Sequence, residues 1–450
     1  MHYGLLILVL LASQSTQPAD QPAIARQFPP LPDMASDKPD YFAWFADRVA
    51  GDMPMEENAA PLYLELFGRM SSAVNELGFK GFRTERDITR SSAPAPWDPE
   101  QQPEWDESYR RSQEAMQKYA RAAAKPFALF PFFHDEKEKP EERLLYYALT
   151  PYLPYLRTYS MHLSEMAWRA PGGRVSGERL IAACRTSLQV ARQVERMPLM
   201  RTHLAGGGLR VVAYEDLRYA LRHDVFSASE LADALRMLEA HDTAPPPLSH
   251  CLAGEAAAIF DMVRAAADRS RPPLGKQHLR DALSLVRSQQ IEARPTVEHV
   301  LEYLIEAALF AEKPYAAESR SLASNLEAGG ASPSMLTKMV FPDFSQLYSL
   351  DHRVRAERAG TRLLLHLHVF NKAHGRWPAT LDELPADARP YVTDPYRNGP
   401  FIYRLADGQP LLYSVGADAE DNGGVHDWQW GEYWRARDYV LWPIPDRPVE

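Results

Sequence analysis

Between Asp418 and Asp427 the chain gathers hard oxygen donors: Asp418, Glu420, Asp421, Asn422 and Asp427, with Gly423-Gly424 in their midst. Such residues in a short loop are those that hold calcium. The ion takes about six to eight oxygens from carboxylates and backbone carbonyls, and glycine lets the loop turn tightly around it. The same letters also suit a solvated acidic turn, in which Asp and Asn side chains accept hydrogen bonds from their own backbone. Types and spacing leave both readings open. Directly behind the loop stand Trp428, Trp430, Tyr433 and Trp434. Exposed, those rings would stack on a glycan or anchor a protein partner; buried, they would roof a sheet. Arg435 and Arg437 follow, near enough in sequence to neutralise the loop carboxylates without metal.

Other chemistry is sparse. The chain contains no His-Glu-x-x-His, Cys-x-x-Cys, Gly-x-Ser-x-Gly or phosphate-binding glycine-rich stretch. A partial EF-hand match (Asp418, Glu420, Asn422, Gly423) reaches Gln429 where that loop requires a bidentate glutamate. His366 and His368 lie two apart on a helical run, which points them to different faces, as packed core histidines are. Glu302 with Glu306, and Glu141 with Glu142, fall on helix faces where solvated charge is expected. Glycoside hydrolysis would need two acids ~5–10 Å apart in a groove, and these can be distant in sequence.

The elements that position the loop form a small α+β unit. Leu350 to Ala373 reads as a helix whose second half, Leu363 to Phe370, is apolar on nearly every face and must be covered on more than one side. Gly375 caps it and Pro378 prevents its return. Phe401–Leu405 and Leu411–Val415 alternate around Ala-Asp-Gly-Gln, a hairpin signal, and Tyr439–Trp442 supplies a third strand. Upstream the pattern is helical. Helices are expected from Tyr41, over Pro61–Phe67, over Trp105–Tyr119 with a stop at Lys125-Pro126, over Leu153–Ala170 and Ser176–Arg196, then over 199–223, 228–241, 248–269, 276–289 and 296–311. Phe127–Phe133 reads as an extended segment lying against them. Short links make neighbouring helices antiparallel partners, and no repeat period runs through them. The fold class is mostly α: an irregular multi-helix array or bundle, then a small α+β unit of one long helix and a three-stranded antiparallel sheet.

Composition bounds the partners. A chain of 450 residues, 45% hydrophobic and 24% charged, is an ordinary folded protein of more than one domain. Its net charge of −10 provides no basic footprint for a phosphate backbone, so nucleic acid is not an expected partner. The apolar run after Tyr3 is shorter than the ~20 residues a bilayer span needs and fits a secretory signal over residues 1–18. That implies a periplasmic or otherwise extracytoplasmic protein with no transmembrane span in its mature form. Cys184 and Cys251 could pair there or stand as two buried free thiols. The domain plan is an irregular helical region with Pro-rich loops over 19–140, a helical domain over 141–345 and the α+β unit over 346–450.

Read together, His374 to Pro378, Leu381 to Leu384, Asp394-Pro395-Tyr396, Tyr413-Ser-Val-Gly-Ala-Asp418 and Gly423-Gly424 resemble the globular head of the major pseudopilin of type II secretion systems. In that family an Asp-rich loop closes over calcium. The resemblance implies Asp418 as a ligand, with the Ser414 backbone carbonyl nearby; Asp421 and Asp427 complete the expected metal set. Ala419 stands where the family has glycine, and Glu420-Asp421-Asn422 is an insertion. The family's prepilin peptide and long N-terminal hydrophobic helix are missing, so only the fold of the head carries over, not pilus assembly. The whole order of helices with the Tyr-Ser-Val-Gly ending also resembles a family of exported bacterial proteins to which no function is attached. The expectation is an exported, non-enzymatic binding or scaffold protein. The resemblance implies a calcium-stabilised C-terminal head, and the expected surface for a protein or glycan partner is Trp428, Trp430 and Trp434. The enzymatic alternative is a hydrolase of cell-wall or polysaccharide substrate in an interdomain groove.

Overall fold

The computed structural model describes residues 23–31, 41–67, 103–130, 152–168, 175–267, 293–315, 344–426 and 437–445. The expected signal segment and the helix over 276–289 lie outside them. No helix among the described residues is long and apolar enough to cross a membrane.

Three N-terminal helices, α1 (Tyr41–Ala50), α2 (Ala60–Phe67) and α3 (Pro103–Ala123), pack onto the array through polar clamps as well as apolar burial. Asn58 caps α2 by accepting from the Ala60 N–H. Its side chain also bonds both backbone groups of Leu129, which holds the segment after Phe127 extended, as its proline-broken aromatic run implies. Gln193 accepts from the Tyr63 hydroxyl at 2.7 Å and donates to the carbonyls that end α3. A buried aromatic cluster of Tyr63, Phe67, Tyr119, Phe130 and Tyr159 fills the space between.

The array continues with α4 (Leu153–Trp168), α5 (Gly177–Glu195), α6 (Met200–Arg222), α7 (Ala228–His241), α8 (Leu248–Ala267) and α9 (Ala293–Ala311). Ser176 caps α5, and Ser227 forms a capping box with Glu230 on α7, as the Ser-x-x-Glu spacing requires. The short 196–199 link lays α6 along α5. Helix α8 approaches that corner so closely that a Cβ on Gly254 would stand 1.5 Å from the Pro198 carbonyl oxygen. Both cysteines are buried free thiols, each donating to a backbone carbonyl (Ala213 and Leu248).

The long helix α10 (Phe344–His374) begins before the expected Leu350 and ends at Gly375, whose φ of +66° marks the predicted cap. It packs on α6 and α7 on one side and on the C-terminal sheet on the other. Leu363, Leu364, Leu365 and Leu367 are wholly buried, as the double coverage of an all-round apolar segment demands. The hairpin β3 (Ile402–Ala406) and β4 (Gln409–Ser414) turns at Asp407-Gly408, both with positive φ, and β5 (Tyr439–Trp442) adds antiparallel to β4, giving the order β3-β4-β5. A separate two-residue ladder, β1 (Thr393–Asp394) with β2 (Gly399–Pro400), was not legible from the sequence. His366 and His368 are packed, as expected. His368 sits edge-on between Trp377 and Trp442, each 5.0 Å away, and burial pushes its pKa down to about 4.

Candidate functional site

Strand β4 delivers the chain into the acidic loop, and the loop's support is carboxylate-to-backbone bonding. Asp418 accepts from the Glu420 N–H at 3.0 Å, and Asp421 from the Gly423 N–H at 2.9 Å and the Tyr413 hydroxyl at 2.8 Å. The bonds from Gly423 and Tyr413 hold the Asp421 carboxyl below its usual range. Asp438, just before β5, is buried and takes the Asn422 and Gly424 N–H groups, so the loop wraps around it. Ser414 uses its hydroxyl to donate to Asp394, which also takes the N–H groups of Tyr396 and Val415. Asp394 thus joins the Asp-Pro turn to the Tyr-Ser-Val-Gly segment, and burial raises its pKa despite those bonds. Among the described residues no three His, Cys, Asp or Glu side chains converge to hold a metal. Asp427 lies outside the described residues, as do Trp428, Trp430 and Trp434.

A second feature lies between α6 and α10: a groove of about 440 Å³ with a mostly apolar wall, including Leu204, Val211, Leu350 and Val354. Its size falls within the ~300–1,000 Å³ common for small-molecule pockets. Three consecutive glycines interrupt α6 here, each costing about 0.8–1 kcal/mol relative to alanine in a helix interior. Packing accounts for two of them. A Cβ on Gly206 would come within 2.3 Å of Glu195 Cγ, and one on Gly207 within 2.9 Å of Val354 Cγ2. On Gly208, which is exposed and lines the groove, a Cβ would meet nothing within 4 Å.

Carboxylates reach this groove, but Glu195 and Asp351 are ion-paired there. The Nε2 of His203 lies 2.8 Å from Asp351 Oδ1, and Arg355 holds the other oxygen at 2.6 Å. Burial works against the Asp351 charge, yet the bond from His203 and the charge of Arg355 keep its carboxyl well below the usual range. Glu195 is held bidentately by the fully buried Arg210, at 2.6 and 2.7 Å. Arg210 also donates to Asp242, just past α7, whose carboxylate takes the Tyr214 hydroxyl and Arg362 of α10 as well, with Arg358 Nε 3.1 Å away. Farther along, Glu357 of α10 bonds Arg218 of α6 and the Tyr439 hydroxyl of β5, and Arg353 lies over the Tyr439 ring. Burial opposes the Glu357 charge, but Arg218 and Arg353 hold its pKa down. Glu215, at the groove wall, favours the Arg218 cation. Exposed Arg157 of α4 lines the groove with no hydrogen bond or ion pair among the described residues.

No family model, curated protein or solved structure matches this chain significantly. The groove, its His203–Asp351 pair and the Asp242 cluster escaped the sequence reading because their members come from distant helices. One local signal was present: Gly206-Gly207-Gly208 inside an otherwise regular helical run marks close approach or an open face.

Proposed function

We propose that the protein is an exported, non-enzymatic binding protein whose ligand site is the groove between α6 and α10, with the sheet of the C-terminal pseudopilin-like head bracing α10 from behind. The observation that carries this reading is the groove's wall. It is mostly apolar, holds no Phe, Tyr or Trp among its described lining, and its carboxylates are not poised as a catalytic couple: Glu195 and Asp351 are ion-paired and Glu215 favours the Arg218 cation. A hydrolase of the glycosidase type needs one acid free to donate and one free to attack or activate water. Native mass spectrometry of protein recovered from the extracytoplasmic fraction should show a bound small molecule. That mass should be missing from Gly208→Leu, whose side chain enters open space and fills the groove. A ligand mass unchanged by Gly208→Leu would overturn the reading, as would turnover of peptidoglycan or polysaccharide by the purified protein.

Calcium at the acidic loop is a second reading. Asp421 spends both its hydrogen bonds on Oδ1, and Oδ2 of this exposed side chain takes none among the described residues. If calcium binds there, a hundredfold excess over Kd should stabilise the protein by about 2.7 kcal/mol. Asp418→Ala should lose most of that gain. Superimposable melting curves in chelator and in millimolar calcium would leave the loop held by its backbone hydrogen bonds alone.

A further inference from the structure

We propose, resting on the groove as the ligand site, that its ligand is an amphipathic anion: a single acyl-type chain ending in a carboxylate. The chain would lie on Leu204, Val211 and Val354 and pass over the bare backbone of Gly208, and the acid group would meet Arg157 at the rim.

Three independent observations converge on this class. The first is shape and polarity, since an apolar wall in a volume of about 440 Å³ suits a hydrocarbon chain. The second is Gly208. A residue that weakens its helix and packs against nothing leaves a depression along the backbone, and a slim chain can fill it where a side chain would block it. The third is charge. The groove lining sets the guanidiniums of Arg157 and Arg353 beside the carboxylates of Glu195, Asp351 and Glu215, so its character depends on which of these charges are already spent. Glu195 and Asp351 are already satisfied by Arg210, by His203 and by Arg355, and Glu215 favours the Arg218 cation, so none of the three calls for a cationic ligand. Arg157 is the rim cation left over, and a planar guanidinium pairs with a carboxylate through two parallel N–H bonds.

The test titrates the full mature chain by calorimetry with dodecanoate and, separately, with dodecanol, each below its aggregation concentration. Dodecanoate should bind with one-to-one stoichiometry and at least tenfold more tightly than the alcohol, because only the anion gains the charge-assisted bond. Arg157→Gln should weaken dodecanoate at least tenfold and leave dodecanol unchanged. Gly208→Leu should abolish both while keeping the melting temperature equal to or above wild type, which separates a filled groove from a misfolded one. Equal affinity for the two probes, or indifference of dodecanoate to Arg157→Gln, would overturn the anionic class while leaving the groove as a binding site. Failure of dodecanoate to bind would overturn the acyl-chain inference. The groove reading itself falls on a different result, a co-purifying mass insensitive to Gly208→Leu.

Discussion

Asp242→Ala is expected to destabilise the protein by about 3–5 kcal/mol, the range for removing one partner of a buried ion pair. Its carboxylate is fully buried and receives Arg210 from α6 at 2.7 Å, the Tyr214 hydroxyl at 2.7 Å and Arg362 from α10 at 3.0 Å. Without it, Arg210 keeps Glu195, but the buried Arg362 cation retains only neutral partners: the Leu238 carbonyl, the backbone carbonyl at the substituted position and the Tyr391 hydroxyl. The loss falls on the seam between the helical array and α10. The long helix and its sheet should therefore loosen first, which hydrogen exchange on α10 would report beside a lowered urea midpoint. Asp233→Ala, an exposed i,i+3 partner of Arg236 on α7, serves as control and should change stability by no more than about 1 kcal/mol. A difference of under about 1 kcal/mol between the two variants would show that the buried cluster is not holding the seam.

Glu255→Gln is expected to stabilise the protein at pH 8 and to do nothing below pH ~4.5. Glu255 of α8 is buried and caps α6 by accepting from the Met200 N–H at 2.9 Å; burial raises its pKa from 4.5 to about 7 against the pull of that bond and of Arg201. A carboxyl whose folded pKa is raised makes the native state bind more protons than the unfolded chain between the two values. Stability is therefore full below the unfolded pKa and falls as pH rises through the folded one. At ~1.4 kcal/mol per unit the whole effect is about 3 kcal/mol, complete above pH ~7.5. Glutamine keeps an oxygen for the Met200 N–H and never ionises, so the variant should escape the loss. Urea unfolding of both proteins at pH 4.5 and pH 8 isolates this group, because all other titrations are shared. A gap of the same size at both pH values would mean that Glu255 ionisation is not linked to folding.

Much of the architecture was legible because it is written locally. Helical periodicity, the Ser176 and Ser227 caps, the Asp407-Gly408 turn and the Gly375 stop each depend on residues within a few positions of one another. The apolar run Leu363–Leu367 even announced that α10 would be covered on two sides. What the sequence could not place were the partners of its charges. Helix α10 carries Asp351, Arg355, Glu357, Arg358 and Arg362 ahead of its apolar run, and nothing near them in the chain names their partners: the Glu357 and Arg218 side chains that meet in the core are 139 residues apart. Asp438 likewise stands 16 residues beyond the Asn422 N–H it receives, with no turn motif to connect them. A carboxylate's role follows from what faces it and how much water is excluded, and both are properties of packing. The sequence by itself therefore determined the helices, the hairpin and the two-sided burial of α10. Only the tertiary structure decided which acids are neutralised, where Arg157 is left over, and that Gly208 opens onto a groove.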